Sequence, residues 1–453
     1  VTAAAALRLD DAPADALGGR GFFSFASTSL RGLSGPFWIL QGYLFLSVAA
    51  IDEEWPAVGR YRPRLLLGTL ALAAAVLRAF VERAPARDRA GAATAEGRRV
   101  PGRLGAFLAT GFLSATVAFA PTTSFEAQLD HATKAIGFFL LLAIVRTRRE
   151  LLLTVLVLAA GAGFFLLRSF TEFLAGKYDF QMGVVRMLGA GQEYADPNSF
   201  AATIVFALPL VAWAGIHSRS WLLRFCAVCY GALGAGSIAQ TRSRSGAVLL
   251  AIACVGVAAA LKTTRSRLLF AGALALVVVV LAAKQTQGAL DRYASLVSAD
   301  TYGKESSTGG RIEGYVVGWK MLQERPLLGV GPGCWSDYRQ RRVDGSRLLA
   351  HNLPGQLLGE RGAVGAAAWV AYLLAAVALG RAERRRLASA SDPEGVAMRA
   401  FATACLFTFF LLGVSGLAAH NLDRPGWYWT GALLVLAVST ARDAGREGPE
   451  AVR

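Results

Sequence analysis

Apolar runs such as LLLTVLVLAAGAGFFLLRSF (151–170) and LLFAGALALVVVVLAA (268–283) recur along the chain from residue 35 to residue 440. A helix needs roughly 20 apolar residues to cross a bilayer, and a soluble core has no room for so many runs of this kind. The charge content agrees: 17% of the residues are charged, against about 25% in a soluble domain. A membrane barrel would show strands of about ten residues with alternating polarity, and the sequence has no such pattern. It therefore predicts an all-α polytopic membrane protein. About twelve transmembrane helices are expected, near 35–51, 65–81, 104–120, 132–145, 151–170, 199–216, 221–239, 246–261, 268–283, 363–379, 401–417 and 427–440.

The formal net charge of +16 is compatible with nucleic acid binding in principle. The placement of the charges excludes it, because the basic residues stand in short clusters between apolar runs. Arg98, Arg99 and Arg103, then Arg146, Arg148 and Arg149, then Arg219 and Arg224, then Lys262, Arg265 and Arg267, then Arg384, Arg385 and Arg386 fall on every second loop. The positive-inside bias puts that set in the cytoplasm with both termini. The expected organisation is a cytoplasmic N-terminal segment (1–34), a transmembrane domain (35–441) and a cytoplasmic tail (442–453). The opening stretch VTAAAALRLDDAPADALGGRGFFSF has no basic region running into an apolar core, so no cleaved signal peptide is expected there. The five cysteines are read as helix-packing residues.

On the other side one loop, 284–361, is by far the longest. A structureless loop of that length is improbable in a compact protein. Ile312, Val316, Trp319 and Leu322 stand near helical spacing and predict an amphipathic helix over 311–323, lying along the outer membrane face and ended by the turn GVGPG.

Outer loops should be poor in arginine, and these are not. TRSRSG carries Arg242 and Arg244; the long loop carries Arg311, Arg325, Arg339, Arg341, Arg342 and Arg347; Arg186 lies in the loop 175–198, and Arg168 near the outer end of the fifth span. Guanidinium groups grip phosphate oxygens in a two-pronged manner that lysine cannot match. Ser243, Ser245 and Gly246 open a helix, whose backbone N–H groups also favour anions. A phosphate or pyrophosphate site at the outer leaflet is inferred. Arg339, Arg341 and Arg342 are read instead as a solvated loop face. In EYADPNSFA, Asp196, Asn198 and Ser199 can cap the sixth span, with sugar binding as the other reading. Among the four histidines, His131, His351 and His420 fall on the outer side, and each is a candidate to take a proton from an acceptor hydroxyl.

The ordered set RMLGAGQEYADPNSFA, TRSRSGAVLLA, GGRIEGYVVGWKMLQERPLLGVGPGCW and AHNLPGQLLGERGAVGAAAW resembles the O-antigen ligase and polymerase superfamily of bacterial membrane glycosyltransferases. The resemblance covers roughly residues 186–372. It implies metal-independent, inverting transfer of a glycan from an undecaprenyl-pyrophosphate carrier to an acceptor hydroxyl, on lipid A–core or on a growing glycan, at the periplasmic face of the inner membrane. No cofactor and no metal are implied. On the matching positions His351 would be the base or the group that positions the acceptor. Arg242 and Arg244 would hold the pyrophosphate, Arg311 would be a third phosphate or glycan contact, and Asn352 would orient its neighbour or the substrate. Arg186, Asp196 and Asn198 would complete the substrate site, with Glu360 a weaker candidate. Ligase and polymerase need the same site, so both stay open. A transporter would place polar groups at mid-membrane on broken helices, whereas here they gather at the outer ends of spans.

Overall fold

The computed structural model describes residues 32–51, 56–81, 95–181, 184–191, 195–261, 263–268, 270–272 and 307–446. The long helices are α1 (Gly35–Ala49), α2 (Pro63–Val81), α3 (Ala95–Thr116), α4 (Pro121–Ile144), α5 (Arg148–Leu174), α6 (Pro197–His217), α7 (Trp221–Thr241) and α8 (Arg244–Ala260). They continue with α9 (Ser307–Glu324), α10 (Leu353–Arg386), α11 (Pro393–Gly416) and α12 (Pro425–Arg446). Among the described residues seven, α2, α4 to α7, α10 and α11, are long and apolar enough to cross a bilayer, and α1 and α8 are apolar but shorter. The chain is an all-α polytopic membrane protein in this sense. The expected ninth span lies almost wholly outside the described residues, as do residues 284–306 of the long loop.

Helix starts follow the local chemistry. Ser34, Asp196, Ser243, Asn352 and Asp392 each accept a backbone N–H of the helix that follows, and Thr147 with Glu150 forms a capping box. Proline occupies the first turn of α1, α4, α6, α10 and α11. Three starts lie about ten residues before the apolar run that signals them: α3 begins at Ala95, α4 at Pro121 and α10 at Leu353. The loop 175–198 contains an element that the all-α reading lacks, an antiparallel hairpin of β1 (Tyr178–Gln181) and β2 (Val184–Met187), with Asp179 opposite Arg186.

The main core joins Phe37, Phe107, Phe138, Trp369, Tyr372 and Trp427 across the bundle. A smaller one, Val317, Met321, Val330, Cys334, Trp335 and Tyr338, lies under α9. The five cysteines are free: Cys334 and Cys405 are buried, but Cys226 and Cys229 stand exposed on α7, not in helix packing.

α9 fastens to α10 by backbone contact. A Cβ at Gly314 would strike the Ala350 carbonyl, and one at Gly318 would sit 2.6 Å from the Gly355 carbonyl oxygen. Only glycine permits this approach. Four helical turns are thereby held against the start of α10, with Ile312, Val316 and Trp319 left exposed on the far side of α9. Beyond α9 the segment 326–331 lies along a break in α10 at Gly362 (φ 62°). Val330 and Gly331 donate to the carbonyls of Gly359 and Glu360 at 2.9 and 3.1 Å, while Ala363 and Val364 donate to Pro326 and Leu327 at 2.9 and 3.1 Å. The turn GVGPG therefore does more than end α9: it satisfies the backbone groups that the kink releases, as a broken helix at membrane depth requires.

Gly314→Ala is expected to lower the thermal stability of the purified protein by the roughly 1–3 kcal/mol typical of overpacking. Gly310→Ala, at a position that faces open space, should not lower it, because alanine favours a helix over glycine. Thermal unfolding of both variants in detergent, followed by size-exclusion chromatography, measures the difference.

Candidate functional site

The connections before α4, α6, α8, α10 and α12 meet on one face of the bundle, together with α9 and the hairpin. Cross-links tie them. Arg325 donates to the Val117 carbonyl at 2.8 Å, Tyr315 to the Leu417 carbonyl at 3.2 Å, and Arg424 to Thr203 Oγ1 at 2.6 Å.

TRSRSG forms the turn between α7 and α8. Arg242 ends α7 in the left-handed region (φ 54°), is buried, and turns one guanidinium nitrogen back to the Ala239 carbonyl at 3.5 Å. Ser243 caps α8 on Gly246 N at 3.1 Å and donates to Asn198 Oδ1 at 2.7 Å. The buried Arg186 reaches in from β2, donating to the Thr241 carbonyl at 2.9 Å and to Asn198 Oδ1 at 3.3 Å. Asp196 caps α6 through Ser199 N at 2.8 Å. Arg186 and Asn198 thus brace TRSRSG from beneath, and Asp196 combines its cap with a place near the histidines.

His351 and Asn352 divide two jobs. Asn352 has no exposed surface. Its Nδ2 donates to the carbonyls of Arg311 and Ala350 at 2.8 and 3.1 Å, and its Oδ1 accepts Gly355 N at 2.7 Å. It ties the start of α10 to α9. His351 is left half-buried with φ 51°, a conformation that costs about 1–3 kcal/mol and persists only where surroundings impose it. Burial, then the nearby His420 and Arg311, push its pKa below the ordinary imidazole value, with Asp196 opposing.

Arg311 stands in the first turns of α9 with no hydrogen bond or ion pair to its guanidinium among the described residues. Burial and then the charge of Arg244 lower its pKa, so two like charges from α8 and α9 face each other beside His351. Arg244 lies near Arg311, and Arg311 and Asp196 near His351, while Arg242 caps α7 two residues before Arg244.

Other outer arginines are committed to the protein. Arg168 pairs with Glu172 at 3.0 Å and donates to the Ala50 carbonyl at 3.1 Å, so its partner is internal and not a lipid anion. Arg339 is a correction to the solvated reading: it is 1% exposed and pairs with both Glu313 and Asp344 at 2.8 Å. Arg347 pairs with Asp337 at 2.8 Å, and Arg341 lies over the Phe119 ring. The Glu360 carboxylate is buried and receives Trp335 N at 3.4 Å. His131 is buried in α4, its Nε2 2.7 Å from the Tyr428 hydroxyl. His420 instead faces His351, with ring centroids 5.8 Å apart. Arg424, beside His420, escaped the sequence reading, although in NLDRPGW it breaks the positive-inside pattern as TRSRSG does.

Cations paired across two helices next to an uncharged imidazole can receive a diphosphate and remove a proton close by. The arrangement depends on Asn352. Asn352→Asp keeps the cap on Gly355 but sets a carboxylate against two carbonyls. It is expected to destabilise the protein by about 1–3 kcal/mol and to disturb His351; thermal unfolding alongside a glycan-transfer assay reads both effects.

Residues 229–370, from α7 into α10, match the family model described as O-antigen ligase. No curated protein matches the chain. The matched stretch holds TRSRSG, Arg311, His351 and Asn352, whereas Arg186, Asp196, Asn198 and His420 fall outside it. The chain is thus a polytopic membrane protein that carries a stretch similar to the O-antigen ligase family.

Proposed function

We propose that this protein is an O-antigen ligase that transfers a glycan from undecaprenyl pyrophosphate to a hydroxyl of lipid A–core, at the periplasmic face of the bacterial inner membrane. The observation that carries the reading is the juxtaposition of Arg244, Arg311 and His351 on the face that gathers α9 and the helix N-termini. Two adjacent guanidinium groups create a positive field that favours an anion beside them, and a diphosphate matches their geometry.

The chemistry follows from the same three groups. The acceptor oxygen attacks the anomeric carbon as the carbon–oxygen bond to pyrophosphate breaks, and configuration inverts. The bonding pair goes to the departing phosphate oxygen, where Arg244 and Arg311 neutralise the charge that develops. The hydroxyl proton goes to a ring nitrogen of His351. Charge stabilisation by fixed guanidinium groups does here the work of a Lewis acid, which is why a metal-independent reaction is proposed. Asn352 and the α9–α10 contact keep base and cations in register, and Arg186 with Asn198 holds the TRSRSG turn.

His351→Ala should lower transfer by about 10²–10⁴-fold with insertion unchanged; full activity removes His351 from the chemistry. Arg311→Lys keeps the charge and loses the fork, so a drop of about 10-fold or more is expected, and equal activity would mean that plain attraction suffices. His351 must be uncharged to act. Since burial and nearby positive charge lower its pKa, the acid limb of kcat/KM should lie below about pH 6.5; a limb above it points to another base. In a deletion strain, full-length polymer should accumulate on its lipid pyrophosphate. Single repeat units there would identify a polymerase instead.

A further inference from the structure

His420 is the group on this face that the mechanism leaves idle, and its setting is not that of a surface histidine. It is exposed, but the loop that carries it, between α11 and α12, is fastened on every side. Tyr315 of α9 donates to the Leu417 carbonyl at 3.2 Å. Asn421 Nδ2 donates to the Leu412 carbonyl of α11 at 2.9 Å, and Trp427 Nε1 of α12 to the Asn421 carbonyl at 2.9 Å. The Tyr428 hydroxyl donates to the Leu422 carbonyl at 2.8 Å. Lys134 of α4 pairs with Asp423 at 3.3 Å, and Arg424 holds Thr203 of α6 at 2.6 Å. Five helices therefore fix a loop whose own imidazole makes no hydrogen bond among the described residues and whose ring lies 5.8 Å from that of His351.

The charges around the two rings are unequal. His351 faces Arg311 of α9, which itself faces Arg244 of α8, and Arg339 from the turn after Tyr338; a single carboxylate, Asp196, opposes them. Desolvation by the surrounding protein is the largest influence on His420 and lowers its pKa as it does that of His351, but the charges around His420 are two carboxylates, Asp423 and Asp196, against one cation, Arg424. A proton shared between these rings is more comfortable on the one beside the carboxylates. The reaction needs the other ring uncharged.

We propose that His420 is a positioning residue that takes the first proton to enter the site and, once charged, keeps His351 in the free-base form. This rests on the reading of His351 as the base. As the medium acidifies, a proton lands on His420, which is open to solvent. Its positive charge then repels a second proton from His351, so the base stays competent at a pH where an isolated imidazole would already be charged. No bond other than N–H forms or breaks.

The chain has four histidines, His131, His217, His351 and His420, so labelling them alone gives an NMR spectrum that single substitutions assign. The full-length protein in nanodiscs, titrated between about pH 4 and 8, should show His420 protonating at higher pH than His351. Two unit charges 5.8 Å apart repel by about 0.5 pH unit even at the dielectric constant of water. His420→Gln should therefore raise the His351 midpoint by at least that much and move the acid limb of kcat/KM up with it, KM unchanged. A His351 that protonates first, or whose midpoint is unmoved in His420→Gln, overturns the proposal. If that variant does not fold, the order of titration in the native protein decides alone. The expected titration order without any glycan transfer would defeat the transferase reading and leave the imidazole coupling standing; transfer with an unmoved acid limb would do the reverse.

Discussion

The contact of α9 with the first turns of α10 governs the rest of this face. Gly314, Gly318 and Gly355 bring two backbones together without intervening side chains, and Asn352 closes the junction with three hydrogen bonds. Arg311 and His351 belong to opposite partners of that junction, so their separation is fixed by backbone and not by flexible side chains. If the proposed transfer takes place here, this rigidity matters, because reacting groups displaced by about 1 Å can lose about 10²-fold in rate.

Arginine is used in two ways. Arg168, Arg186, Arg325, Arg339 and Arg347 are joined to carbonyls or carboxylates of the protein. Each braces a turn or a helix end where unsatisfied backbone carbonyls gather. Arg311 has no such attachment among the described residues, and it is the one that faces another guanidinium beside His351. An excess of arginine in outer loops therefore marks an organised surface as much as a ligand site.

The helical class and the existence of α9 were legible because apolar length and 3.6-residue spacing are local signals. α9 was expected over 311–323 and runs over Ser307–Glu324. The capping role of Asp196 and the helix start in TRSRSG were readable for the same reason. The burial of Arg339 was not, since its partners Glu313 and Asp344 mean nothing until α9 folds back over the turn. The start of α10 at Leu353 was hidden because polar residues at its N-terminus are supported by the segment 326–331, far away in sequence. Three histidines looked alike; only tertiary structure separates His131, bonded to Tyr428, from the facing pair His351 and His420.

Ile312, Val316 and Trp319 project from α9 on the side away from α10. A helix with apolar residues on both flanks needs a second nonaqueous neighbour, and in a membrane protein lipid can supply it. Lipid thickness and headgroup packing would then press on the element that carries Arg311, so that membrane composition would act on this helix as a solvent acts on a dissolved protein.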